Sequence, residues 1–145
     1  AKKGKEFRFH VNLKRCEAKG WDLCDEPIKG RINALILGDS HAIDALNAFE
    51  KIYPTHNFSM SQLAACPPHR DIEKITKPGH LNQMECKALN EIRFDPEYLK
   101  KFDYIVINLL FGWYTPEHLR EYLEFLNENK IQKVIVLGVS RLQVC

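Results

Sequence analysis

The stretch that most constrains the fold is Leu35-Ile36-Leu37-Gly38-Asp39-Ser40-His41-Ala42. An apolar run containing Ile32, Leu35, Ile36 and Leu37 stops at Gly38, and apolar residues at helical spacing begin directly after Ser40. The pattern predicts a strand, a tight turn and a helix, with Ser40 at the junction. There, unpaired backbone N–H groups and the helix dipole favour developing negative charge. Plainer roles compete for the same residues: Ser40 as a helix cap, or Asp39 and Ser40 as a polar turn.

Read along the chain, residues 1–30 form a polar lead-in, with Phe7, Phe9, Val11 and Leu13 alternating as in an edge strand and a looped stretch from Cys16 to Gly30. Residues 31–145 form the domain proper. A first central strand is expected over Asn33–Leu37 and a helix over His41–Tyr53, ending before Pro54. A weaker strand follows at His56–Met60, then a long loop at Ser61–Met84. A short helix is expected over Cys86–Ile92 and another from Asp95-Pro96-Glu97 to about Lys101. Tyr104–Leu109 and Val134–Leu137 read as strands buried on both faces, with a helix between them from Thr115-Pro116-Glu117 to Asn129. Strands of uniform apolarity alternating with helices predict a three-layer α/β/α sandwich around a parallel sheet.

At 145 residues the chain is one domain, able to bury about two-thirds of its unfolded surface. The net charge of +2 is too small to point to nucleic acid. Positive charge gathers at Lys2, Lys3, Lys5, Arg8, Lys14 and Arg15, opposed only by Glu6, as a solvated tail or a juxtamembrane flank. No run of about 18 apolar residues exists, and no signal peptide precedes the chain, as expected of a mature or excised domain. Of five cysteines, Cys16 and Cys24 lie close together before the first strand, and Cys66 and Cys86 bracket a loop rich in Pro and Gly. Disulfides Cys16–Cys24 and Cys66–Cys86 are expected, with Cys145 free, and they imply an oxidising compartment. Zinc is disfavoured because no Cys-x-x-Cys occurs and the histidines lack ligand spacing. Asn57-Phe58-Ser59 matches a glycosylation acceptor but falls in an expected strand.

Gly38-Asp39-Ser40-His41 resembles the first block of the SGNH hydrolases, a branch of the GDSL esterases. Leu37-Gly38-Asp39-Ser40-His41-Ala42, together with Cys66-Pro67-Pro68 and the paired cysteines, resembles the extracytoplasmic SGNH domain fused to membrane acyltransferase-3 proteins. The resemblance covers residues 31–139, the amino-terminal part of the family domain, and implies an SGNH or flavodoxin-like fold that is incomplete at its carboxyl end. It implies Ser40 as the nucleophile and as one oxyanion donor through its N–H, Gly38 as the residue permitting the turn, and Asp39 as the residue holding it. In place of the second-block glycine stand Ala64 and Ala65. Asn108 stands where the third-block asparagine is sought, although a place inside a strand argues against its side chain reaching the site. Gly112 and Trp113 are expected to line the pocket.

Relatives carry a late Asp-x-x-His that supplies the base, and this chain has none. His41, His56, His69, His80 and His118 each lack the orienting carboxylate expected of a triad histidine. The resemblance implies hydrolysis or transfer of acyl groups, typically acetyl, on carbohydrate of the bacterial envelope. It implies no cofactor, a membrane acyltransferase domain in the same parent protein, and little activity for this chain by itself. The alternative is a non-catalytic module that binds carbohydrate or protein. An uncovered sheet edge and helix face at the carboxyl end would favour self-association.

Overall fold

The computed structural model describes residues 23–24, 27–75, 83–110 and 114–139. Its centre is four parallel strands, β2 (Asn33–Gly38), β3 (Asn57–Gln62), β4 (Tyr104–Leu110) and β5 (Val134–Val139), in the order β3-β2-β4-β5. A two-residue strand β1 (Leu23–Cys24) adds antiparallel to the outer side of β3, where the sequence suggested loop. Leu35, Ile36 and Leu37 are wholly buried because each face of β2 is covered, the environment that a continuous apolar run fits.

Between the strands lie α1 (Ala42–Ile52), α2 (Ile72–Ile75), α3 (Gln83–Arg93), α4 (Pro96–Leu99) and α5 (Pro116–Glu128). The crossover from β2 to β3 runs one way along the sheet, and those from β3 to β4 and β4 to β5 run the other way. With right-handed crossovers, opposite directions place helices on opposite faces. Accordingly α1 packs with Ala34, Ile36, Phe58, Met60 and Val106 on one face. On the other, α2 to α5 contribute Ile72, Leu89, Leu99, Tyr122 and Leu126 to a core with Leu35, Leu37, Ile105 and Ile107. The direction reverses between β2 and β4, and ligands of such sheets bind in the crevice beyond the strand ends at that point.

Local signals account for the helix ends. Asp95 accepts a hydrogen bond from the Glu97 N–H at 3.0 Å with Pro96 next to it, and Thr115 and His118 form a reciprocal capping box before α5. Helix α5 ends with Lys130 in the left-handed region, φ 62°, and the Ile131 N–H reaching back to the Leu126 carbonyl at 2.9 Å. At the opposite rim from Ser40, buried Asn33 accepts from the Ile28 N–H and from Asn57 Nδ2, and donates to the carbonyls of Ile28 and Arg31. Asn57 is therefore a buried structural residue.

The loop expected over Ser61–Met84 is more structured than its composition suggests, since β3 continues through Gln62, α2 forms, and α3 begins at Gln83. Cys66 and Cys86 are joined in a disulfide and both are fully buried. Cys16, the expected partner of Cys24, lies outside the described residues, as do Phe7–Leu13, His80 and Cys145. Among the described residues no helix is long and apolar enough to cross a membrane. The expectation that Val134–Leu137 is buried on both faces does not hold: β5 is the outermost parallel strand, and Ile135 and Val136, on opposite faces of it, are exposed.

Candidate active site

The turn after β2 is built on Asp39, whose side chain is 9% exposed. Its Oδ1 accepts from the His41 N–H at 2.9 Å and contacts His41 Nδ1 at 2.8 Å. The Asp39 carbonyl accepts from the Ala42 N–H at 3.0 Å, which starts α1. Ser40 is left out of these bonds. It is partly exposed, and among the described residues its Oγ makes no hydrogen bond and its N–H donates to no carbonyl. Helix α1 carries no side-chain cap bond, so the capping role that competed for Ser40 is not filled by it.

Gly38 differs from expectation in its reason. Its φ is not in the left-handed region, where Gly30 is the one glycine among the described residues, so the turn does not demand glycine there. A Cβ on Gly38 would instead collide with the Asn108 carbonyl of the neighbouring strand. Absence of a side chain lets β2 and β4 close together directly under Ser40.

Asn108 also corrects the sequence reading. It does lie within β4, but alternation puts it on the α1 face with Tyr104 and Val106. Its Nδ2 donates to the His41 carbonyl at 2.8 Å, so the side chain sits beneath the first turn of α1. Its Oδ1 is buried without a partner among the described residues.

Beyond β3, Ala64 and Ala65 are the exposed middle of a turn closed by the Cys66 N–H on the Leu63 carbonyl at 3.1 Å. Ala65 has φ 55°, a left-handed conformation that glycine adopts most easily. Among the described residues neither alanine N–H donates to a carbonyl. Gly112 and Trp113 lie outside the described residues.

The residue that the sequence reading missed is Arg93. It is fully buried at the end of α3, and among the described residues its guanidinium has no carboxylate within salt-bridge distance. Nε donates to Ser61 Oγ at 3.0 Å, Nη1 to the Cys66 carbonyl at 2.8 Å and to Asn90 Oδ1 at 3.4 Å. Nη2 donates to the carbonyls of Gly38 at 2.9 Å and Ser61 at 3.1 Å. Burial pulls its pKa down to about 10, against the raising influence of Tyr122, Tyr114 and Asp39. One signal was available: Cys86, Leu89, Asn90 and Arg93 share the buried stripe of α3, and a charged residue in such a stripe needs an internal partner.

The histidines are placed apart in role. His41 does have a carboxylate on its ring, contrary to expectation, yet no hydrogen bond joins it to Ser40 Oγ. The His69 Nδ1 accepts from the Asp71 N–H at 2.8 Å, and its Nε2 lies 3.5 Å from Glu121. His118 Nδ1 accepts from the Thr115 N–H at 3.0 Å, and His56 lies by Thr55 and Tyr53 on the far rim. No cluster of three or more His, Cys, Asp or Glu suited to a metal occurs among the described residues.

The fold is a doubly wound parallel α/β sheet with Ser40 at its switch point, and among the described residues the N–H groups of Ser40, Ala64 and Ala65 donate to no carbonyl. Residues 8–139 match the family model of the SGNH domain fused to AT3 domains. The chain belongs to that family. Comparison with curated proteins and with solved structures gave no significant match.

Proposed function

We propose that this chain is the serine-bearing part of an extracytoplasmic SGNH-type esterase or O-acyltransferase that acts on acyl groups, chiefly acetyl, of envelope carbohydrate. The carrying observation is the Ser40 hydroxyl at the sheet's switch point, which among the described residues is unbonded, beside its own N–H, which among them donates to no carbonyl. In this reading Ser40 Oγ attacks the acyl carbonyl carbon, and the Ser40 N–H with that of Ala64 or Ala65 receives the oxyanion. The sugar oxygen leaves with a proton, giving an acyl-enzyme that water or a second hydroxyl resolves. The buried Cys66–Cys86 bridge supports an oxidising compartment, and the family's fusion to AT3 domains supports a membrane acyltransferase domain as the partner in the parent protein. No cofactor is needed for this chemistry.

Among the described residues no imidazole is hydrogen-bonded to Ser40 Oγ, and the chain has no Asp-x-x-His. In this reading the base belongs to such a segment elsewhere in the parent protein, and the chain by itself is expected to be a poor esterase. The test is p-nitrophenyl acetate hydrolysis by the 145-residue chain and by the full-length protein, each with Ser40→Ala. Turnover that needs Ser40 in the full-length protein supports the enzyme, and equal Ser40-dependent turnover by the chain refutes the need for an external base. That no imidazole among the described residues is bonded to Ser40 also favours a second reading, a non-catalytic module for carbohydrate or protein. Its signature is affinity for acetylated glycan that Ser40→Ala leaves unchanged, with no turnover in either protein.

A further inference from the structure

We infer that Arg93 is a positioning residue that fixes the nucleophile turn against the turn after β3. A buried guanidinium without a carboxylate is an expensive way to fill space, and a packed apolar residue often serves stability as well. What Arg93 does that an apolar residue does not is bind carbonyls on two different strands at once. Nη2 holds Gly38, the residue two before Ser40, and Ser61, near the end of β3. Nη1 holds Cys66, the residue directly after Ala65. The Ser40 turn and the Ala64-Ala65 turn, which in the reading above supply the N–H groups for the oxyanion, are thus tied through one planar side chain.

The tie is itself anchored. Cys86, seven residues before Arg93 on α3, is bonded to Cys66, and Asn90 donates to the Pro67 carbonyl at 3.1 Å from the same helix. The Arg93 carbonyl receives the Tyr122 hydroxyl at 2.9 Å. Helix α3 therefore grips the turn after β3 at three points while reaching across to β2 with the fourth. Lysine has the charge but one nitrogen, and it cannot span the same carbonyls.

The inference rests on Ser40 being the nucleophile, and two measurements separate its failure from failure of that reading. In the isotopically labelled chain, Arg93→Lys is expected to shift the amide resonances of Ser40, Ala64 and Ala65. Leu126→Ala, an equally buried lesion on α5 whose side chain makes no hydrogen bond to Arg93, should lower the melting temperature and leave those amides in place. In the full-length protein, Arg93→Lys is expected to lower kcat for acyl transfer by ~10- to 100-fold with KM within about twofold, the pattern of misplaced reacting groups. Ser61→Ala, which removes one acceptor and keeps the guanidinium, should give the same pattern more weakly, and it decides the matter if Arg93→Lys does not fold. Unmoved Ser40 and Ala65 amides, or wild-type kcat in these variants, overturn the inference. A wild-type protein without Ser40-dependent turnover refutes the esterase reading alone, and the amide shifts still decide the role of Arg93.

Discussion

Asn108 Nδ2 donates to the carbonyl of His41 at 2.8 Å across 67 residues of chain, joining the end of β4 to the first turn of the helix that follows Ser40. Together with the pairing of Gly38 beside Asn108 in the sheet, it makes β4 the floor on which the Ser40 turn rests. The second side-chain atom, Oδ1, is buried and unpartnered among the described residues, so half of this amide works and half is a burden.

Replacing Asn108 by aspartate makes that balance visible. An aspartate there would face the His41 carbonyl with an acceptor in place of the Nδ2 donor, and could restore the bond only when protonated. Its folded-state pKa would be raised, so stability is retained at low pH and lost as pH rises through the folded value. Urea unfolding should show Asn108→Asp less stable at pH 7 than at pH 5 relative to wild type. Asn108→Ala, which leaves the carbonyl without its donor, should cost about 1–3 kcal/mol with no such pH dependence.

The Cys66–Cys86 bridge closes a separation of 20 residues. Removing it with Cys86→Ala should cost about 3 kcal/mol, chiefly through the freed unfolded chain. Because both cysteines are wholly buried, thiol reductant should leave the native bridge intact and attack it only once denaturant opens the domain. Thiol trapping followed by mass spectrometry, with and without urea, reads both expectations.

These features differ in how far the sequence announces them. The strands β2 and β4 were legible because two covered faces demand unbroken apolar runs, β5 was legible from its apolar run although its faces are partly open, and Asp95-Pro96 and Thr115-Pro116 mark helix starts by chemistry that acts within one turn. Serine at the strand-to-helix junction was legible for the same local reason. Helix α3 was underestimated because its stripe carries Asn90 and Arg93 among Cys86 and Leu89, and polar residues on a stripe read as surface. Their partners, Gly38, Ser61, Cys66 and Pro67, lie 23 to 55 residues away, and no local pattern encodes such pairs. Strand β3 shows the same thing from the other side. Phe58 and Met60 meet α1, while Ser61, on the opposite face, is polar to receive Arg93.

His69 gives the domain an acid-sensitive contact. Burial first, and then the nearby His118 ring, push its pKa below 6.5, against the opposing pull of Glu121. The two rings sit edge to face at 5.2 Å, and protonation at Nδ1 would remove the acceptor for the Asp71 N–H. A histidine with a depressed folded-state pKa binds fewer protons folded than unfolded. Its contribution is present above the unfolded value near 6.5 and lost as pH falls through the folded one. Thermal melts should fall in midpoint between pH 7.5 and pH 5, and His69→Gln should flatten that slope.

Ala65 and Ala64 differ by one backbone angle, and the difference fixes opposite outcomes for the same substitution. Ala65 sits at φ 55°, which costs a residue with a Cβ roughly 1–2 kcal/mol. Glycine relieves that strain but loses about 0.5–1 kcal/mol more chain entropy on folding. Ala65→Gly should therefore stabilise the domain by up to about 1 kcal/mol. Ala64 has no left-handed angle to relieve, so Ala64→Gly meets only the entropy loss and should destabilise by about 0.5–1 kcal/mol. Urea midpoints moving in opposite directions at equal m-values would express this directly. Both variants keep the backbone N–H, so Ser40-dependent turnover in the full-length protein should survive each of them. An Ala65→Val substitution, with a branched Cβ forced into the same angle, should lose stability by about 1–3 kcal/mol. Turnover should fall with it if the turn yields and the proposed oxyanion role of the Ala65 N–H holds, because the strain then relaxes by moving that N–H.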